Sequence, residues 1–284
     1  MEYSSTKCTI LVFVIITEIV LIVTINFITI LVFAKTRSLR KPCMYVMVNL
    51  ALADMLNGGF SESCFFYATG GYCFFWKNEH INYSNDVIFC LMLLFPVASL
   101  ANLATISLER LHATFRPFKH RVITKRIYGI VIAAGWALLL LLMTFSIKLG
   151  KVEQVYYLWN SVNVIFLSII CVSYASIVFK IYCGPHRVLQ QHHHGAVLRE
   201  RKLTKTLLIV TVASLVTCVP NTVRSFLLFF TDFYNTISRL TAFWVDYPII
   251  LLFYANSLVN PILYATRIPD FKRAVISLFR CRRP

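Results

Sequence analysis

Seven long apolar stretches, each interrupted by polar residues at particular places, set the pattern of this chain. They run over about 9–34, 43–68, 85–110, 127–147, 157–182, 204–230 and 242–265. A helix of about 20 apolar residues crosses a hydrocarbon core of about 30 Å, and each stretch reaches that length. The pattern predicts an all-α membrane protein, a bundle of seven transmembrane helices over residues 9–265. A short N-terminus (1–8) precedes it and a tail (266–284) follows. The first stretch contains Glu18 and Asn26 and is longer than the roughly 7–15-residue core of a cleaved signal, so it reads as a retained first helix.

Composition agrees with the pattern: 58% of residues are hydrophobic, 14% are charged and the mean hydropathy is +0.70. The formal net charge of +16 would by itself suggest nucleic-acid binding. Its placement removes that reading, because 22 of the 28 Lys and Arg fall in the first, third and fifth connections and in the tail. By the positive-inside bias those segments are cytoplasmic and the amino terminus is extracellular. The cations then reflect topology and contact with anionic lipid of the bilayer, and nucleic acid is not expected as a partner.

The polar interruptions carry the chemistry. In order they are Asn26, Asn49-Leu50-Ala51-Leu52-Ala53-Asp54, Glu109-Arg110, Trp136, Tyr174, Pro220 and Asn260-Pro261-Ile262-Leu263-Tyr264. A charge at a bilayer centre costs about 2.5–3.5 kcal/mol on insertion scales, so Asp54 needs partners and marks a functional site. Together these residues resemble the rhodopsin-like (class A) G-protein-coupled receptors. The resemblance implies a receptor in the plasma membrane that passes binding of an extracellular ligand to a heterotrimeric G protein, and that engages arrestin.

Aligned on that family, Asp54, Ser99, Asn256, Ser257 and Asn260 match the positions that hold a sodium ion beneath the ligand pocket. Carboxylate, hydroxyl and amide oxygens suit a hard cation; a water-filled hydrogen-bond network is the alternative. Sodium would act as an allosteric ion, and no cofactor is required. Glu109-Arg110 resembles the family's acid-Arg-Tyr motif, with Leu111 in the tyrosine's place, and Glu200 stands at the matching foot of the sixth helix. A planar, permanently charged guanidinium can exchange carboxylate partners for a partner protein's backbone. Pro220, Asn260, Pro261 and Tyr264 complete the expected activation switch, since a helix proline frees backbone groups that polar neighbours satisfy. Phe271 follows at the spacing of a short amphipathic eighth helix lying on the inner leaflet, where Cys281 would accept a palmitoyl chain.

Departures from the family pattern are as specific. Cys218 stands in place of the usual tryptophan before Pro220, Phe166 replaces the proline of the fifth helix, and Pro96 adds one to the third. Asn85 occupies the usual disulfide position, and 149–157 contains no cysteine. That loop pattern resembles melanocortin and some lipid receptors, although Cys64, Asn85 and Phe89 do not reproduce the melanocortin acids. Cys8, Cys64, Cys73 and Cys90 fall on or near the oxidising side, with three full pairings open to them. Met92 stands where amine receptors place an aspartate, and Tyr254 where opsins carry the retinal lysine. A pocket bordered by Met92, Asn221, Thr222, Arg224, Asp246 and Tyr254 is expected to take a small molecule, lipid or short peptide. The Asn82-Tyr83-Ser84 sequon in the first outer loop is the expected glycosylation site. No phosphate loop, His-Glu-x-x-His or serine elbow points to an enzyme. The rival to a signalling receptor is a decoy or scaffold of the same architecture, motivated by Leu111 and Cys218.

Overall fold

The computed structural model describes residues 5–36, 39, 44–73, 75, 86–183, 194–267 and 269–279, with the backbone alone over 194–208. Each of the seven apolar stretches forms a helical span. The first is α1 (Ser5–Lys35). The second is continuous but changes pitch: α2 (Met44–Leu56), a π-helical segment (Asn57–Glu62) and α3 (Ser63–Tyr72). The rest are α4 (Asp86–Phe115), α6 (Lys125–Leu149), α7 (Val152–Cys183), α8 (His194–Phe230) and α10 (Arg239–Arg267). Short helices α5 (Pro117–Arg121) and α9 (Phe233–Thr236) lie in connections, and α11 (Pro269–Phe279) is the expected eighth helix.

Local sequence explains the boundaries. α5 carries Pro117 in its first turn, where a missing N–H costs nothing. α6 stops at Gly150, whose φ of 65° is a left-handed cap that a side chain would resist. Several helices outrun their apolar cores: α1 starts at Ser5 rather than near residue 9, and α8 begins ten residues before its hydrophobic stretch.

α4 is the central staff, packed by α2, α6, α7 and α8, while α10 rests on α1 and α8. A core at the Arg110 end joins Phe33, Leu50, Leu103, Tyr174, Tyr264 and Phe271. A second, around Leu94, Leu139 and Trp159, ties α4 to α6 and α7. A third at the opposite end joins Leu11 and Ile15 to Phe243 and Tyr247. Outside these cores large apolar side chains face outward, among them Phe13, Leu141, Val172 and Val216. A water-soluble surface would not carry such a belt, whereas hydrocarbon accommodates it.

One disulfide closes the end opposite Arg110: Cys8 on α1 pairs with Cys73 at the end of α3, their Cα atoms 5.8 Å apart. Of the three pairings open to these four cysteines, this removes two, and Cys64 and Cys90 are not disulfide-bonded. α11 packs Phe271 against Phe33 and Tyr264, with ring centroids 5.3 and 6.2 Å apart, and turns Lys272 and Arg273 outward. Asn82, Cys281 and the other expectations placed on 76–85, 184–193 and 280–284 lie outside the described residues.

Candidate functional site

Three polar sites follow one another along the bundle. At the middle, Asp54 is fully buried and its carboxylate takes three hydrogen bonds. Ser99 and Ser257 donate to Oδ1 at 2.5 and 2.9 Å, and Asn260 donates to Oδ2 at 3.0 Å. α2, α4 and α10 thereby meet on one carboxylate. The cluster continues sideways: Asn57 donates to the Ser257 hydroxyl at 3.1 Å, and Asn26 to the Ser257 carbonyl at 3.0 Å.

Four of the five oxygen-bearing residues expected around an ion are thus together. Asn256 is turned away from Asp54, its Oδ1 accepting the Thr217 hydroxyl at 3.2 Å. The physical reason is helical phase, since Asn256 and Ser257 lie about 100° apart on α10 and only one of them faces α2. In exchange α10 gains a bond to α8 three residues before Pro220. Several buried oxygens of this network meet no described donor: Asn26 Oδ1, Asn57 Oδ1 and Asn260 Oδ1. Such oxygens are what a hard cation or ordered water would occupy.

At the end marked by α11, Glu109 and Arg110 form a bidentate pair, with Arg110 nitrogens 2.6–2.9 Å from the carboxylate. Glu109 Oε1 also lies 2.9 Å from His120 Nε2 on α5 and accepts the Tyr128 hydroxyl of α6 at 3.0 Å. The helix-end arginine is therefore fastened, through its neighbour, to α5 and the start of α6. His120 and Tyr128 carry no motif, and the sequence alone does not single them out. The side chain of Glu200 lies outside the described residues, so the expected Arg110–Glu200 pair does too. Trp136 ties three helices together, since its indole donates to Asn49 at 3.0 Å and Asn49 donates to Asn102 at 2.7 Å, joining α6, α2 and α4.

At the Cys8–Cys73 end a cavity of about 1140 Å³ opens between α3, α4, α7, α8 and α10. Met92, Asn221, Arg224, Asp246 and Tyr254 line it as expected, joined by Asn160 and Asn163 on α7. Thr222 is not among the lining residues; its hydroxyl donates back to the Cys218 carbonyl at 3.2 Å. Arg224 and Asp246 are 3.5 Å apart across the gap between α8 and α10. Arg224 Nε also donates to Asn221 at 3.1 Å, and Tyr234 of α9 donates to Asp246. Partial burial, and then the Asp246 carboxylate, push the Tyr234 hydroxyl up to about 12, so it stays a donor throughout the physiological range.

Residues 25–163 match the family of seven-transmembrane receptors of the rhodopsin type. The histamine H2 receptor of Canis lupus familiaris is 30% identical, an alignment covering 98% of this chain and 82% of that receptor. This chain belongs to the rhodopsin family of receptors. Other relatives are the trace amine-associated receptor 5 of Rattus norvegicus, 28% identical over 84% of this chain and 75% of the relative. Melanocortin receptor 5 of Mus musculus is 22% identical over 91% and 82%. As a rhodopsin-family member the protein is a multi-pass membrane receptor that responds to an extracellular ligand and couples to G proteins.

Proposed function

We propose that this receptor lies in the plasma membrane with Ser5 outside and α11 inside, as the distribution of Lys and Arg indicates. A ligand enters the cavity beside the Cys8–Cys73 bridge. It bears a charged or strongly polar group that competes for Arg224 and Asp246, and an apolar body that fills the space above Met92 and Tyr254. The single observation that carries this reading is the Arg224–Asp246 pair. At 3.5 Å it is longer than a good charge-assisted bond, so each partner retains capacity for a ligand.

Two of the relatives are amine receptors by name, but Met92 offers no charge to an ammonium group. Any cationic ligand here must look to Asp246, at the other side of the cavity. The ligand's work is to draw α8 and α10 together. Those helices also share the Thr217–Asn256 bond, about one helical turn along α8 from the cavity-lining Asn221. A sodium ion held by Asp54, Ser99, Ser257 and Asn260 favours the resting packing, and movement of α8 opens the Arg110 end to a G protein and afterwards to arrestin. Binding and conformational change, rather than catalysis, are what these residues serve.

The reading is tested by screening small organic ions, lipids and short peptides against receptor-expressing cells with G-protein reporters. Hits are then repeated on Arg224→Ala and Asp246→Ala. Loss of potency in one or both variants at equal surface expression supports the site; unchanged potency in both removes it.

A further inference from the structure

A second buried polar site lies between α1 and the π segment, apart from Asp54, Arg110 and the cavity's ion pair. Gly58 makes it. A Cβ built on Gly58 would come within 2.5 Å of Ile22 Cγ2 and 2.9 Å of Ile22 Cβ, so the two spans approach there more closely than any side chain would allow. One turn further along each helix stand Glu18 and Glu62, and the close approach brings their carboxyl groups together. The π turn contributes as well, because five residues between bonded groups widen the helix and re-aim the residue that follows. Glu62 is fully buried and Glu18 is 9% exposed.

The two carboxyls stand within hydrogen-bond reach of each other, and beyond that mutual contact Glu18 Oε1 and both oxygens of Glu62 are buried and meet no described hydrogen-bond donor. Tyr254 of α10 lies within electrostatic range of Glu62; no basic side chain among the described residues is bonded to either acid. Two facing carboxylates in a hydrocarbon setting demand positive charge. One proton shared between them would satisfy two oxygens and leave a third orphaned. A cation seated between the groups meets all three at once.

We propose that Glu18 and Glu62 form a second intramembrane site for a hard, oxygen-seeking cation, sodium or calcium, which clamps the first span to the second. Carboxylate oxygens are the ligands such ions prefer. Tyr254 links the site to the cavity, since it lines the cavity and lies within electrostatic range of Glu62. Occupancy of the clamp would therefore be felt by the ligand. The proposal does not depend on the ion assigned to Asp54, and the test separates the two.

The purified full-length receptor is melted in NaCl, in CaCl2 and in choline chloride at matched ionic strength, as wild type, Asp54→Asn, Asp54→Asn/Glu62→Gln and Asp54→Asn/Glu18→Gln. Asp54→Asn should keep a saturable rise in Tm with sodium or calcium, and either second substitution should abolish it. Equilibrium binding of radioactive sodium or calcium to Asp54→Asn gives an independent reading, expected at one ion per receptor, should a double variant fold poorly. Loss of all cation dependence in Asp54→Asn alone would overturn the proposal. So would a melting temperature that follows pH and ignores both cations, which would mean that protons fill the pair.

Discussion

Tyr128 donates its hydroxyl to Glu109 at 3.0 Å, so the carboxylate that holds Arg110 is itself held by the start of the next span. His120 of the connecting helix reaches the same oxygen at 2.9 Å. Arg110 is thus restrained by a small assembly drawn from α4, α5 and α6 rather than by one neighbour.

Removing the supports should loosen the restraint without deleting it. Tyr128→Phe and His120→Ala each take one hydrogen bond from Glu109, and a bond to a charged group contributes about 1.5–3 kcal/mol. Only the part that differs between resting and active packing shifts the population, and about 1.4 kcal/mol is tenfold. Basal G-protein activation should rise several-fold in either variant at equal surface expression. Basal activity at the wild-type level in both would show that the assembly is only scaffolding.

Gly58 is required by the contact with Ile22. Gly58→Ala places a methyl 2.5–2.9 Å from Ile22 side-chain atoms, one of them a Cβ that cannot swing aside. Overpacking of this kind costs about 1–3 kcal/mol. A lowered Tm of the purified variant is expected, with partial recovery in Gly58→Ala/Ile22→Ala. An unchanged Tm in Gly58→Ala would mean that the two helices stand too far apart for this contact.

The Asp54 cluster should respond to sodium. Replacing Asp54 with Asn retains the size and removes the charge that would hold a cation. Exchange of NaCl for choline chloride should alter basal activity of the wild type, and this effect should be reduced in Asp54→Asn and in Ser99→Ala. Asn256→Ala, which removes a bond to Thr217 rather than an oxygen facing Asp54, should leave the sodium effect in place. Equal sodium sensitivity in Asp54→Asn would mean that water alone fills the cluster.

Much of this was legible in the chain because it is local. The Asn-Pro-x-x-Tyr run, the buried Asp54 and the seven apolar stretches each report on one helix, and each stretch falls on a helix, several of which run well beyond it. What depends on partners from other helices was not legible. Nothing in sequence ties His120 or Tyr128 to Glu109, and the phase that turns Asn256 toward Thr217 is decided by how α10 packs. Asn57 is an intermediate case: it lies three residues after Asp54 on the same face, which spacing alone could have shown. The Gly58-Gly59 pair marked the π turn only in hindsight, since paired glycines in an apolar run also suit an ordinary kink.

At the cavity mouth the charges should act as a pair. Arg224→Asp and Asp246→Arg should each reduce potency of a charged ligand at least tenfold, and the double exchange should restore packing while reversing the preference for ligand charge. Because partial burial and the Asp246 carboxylate push the Tyr234 hydroxyl up to about 12, its bond to Asp246 should persist from about pH 6 to about pH 9, and Tyr234→Phe should leave the pH profile of binding unaltered. A pH profile altered by Tyr234→Phe would contradict that assignment.

The central claim is that the polar sites form one signalling path from cavity to Arg110. Its most direct measurement is G-protein activation across a reporter panel in cells expressing the wild type, Arg110→Ala and Tyr128→Phe at matched surface levels. Measurable coupling in the wild type, its loss in Arg110→Ala and a raised basal level in Tyr128→Phe are the predicted result. Silence of the wild type toward every G protein, with and without ligand libraries and with normal surface delivery, would contradict the account and favour a decoy of receptor architecture.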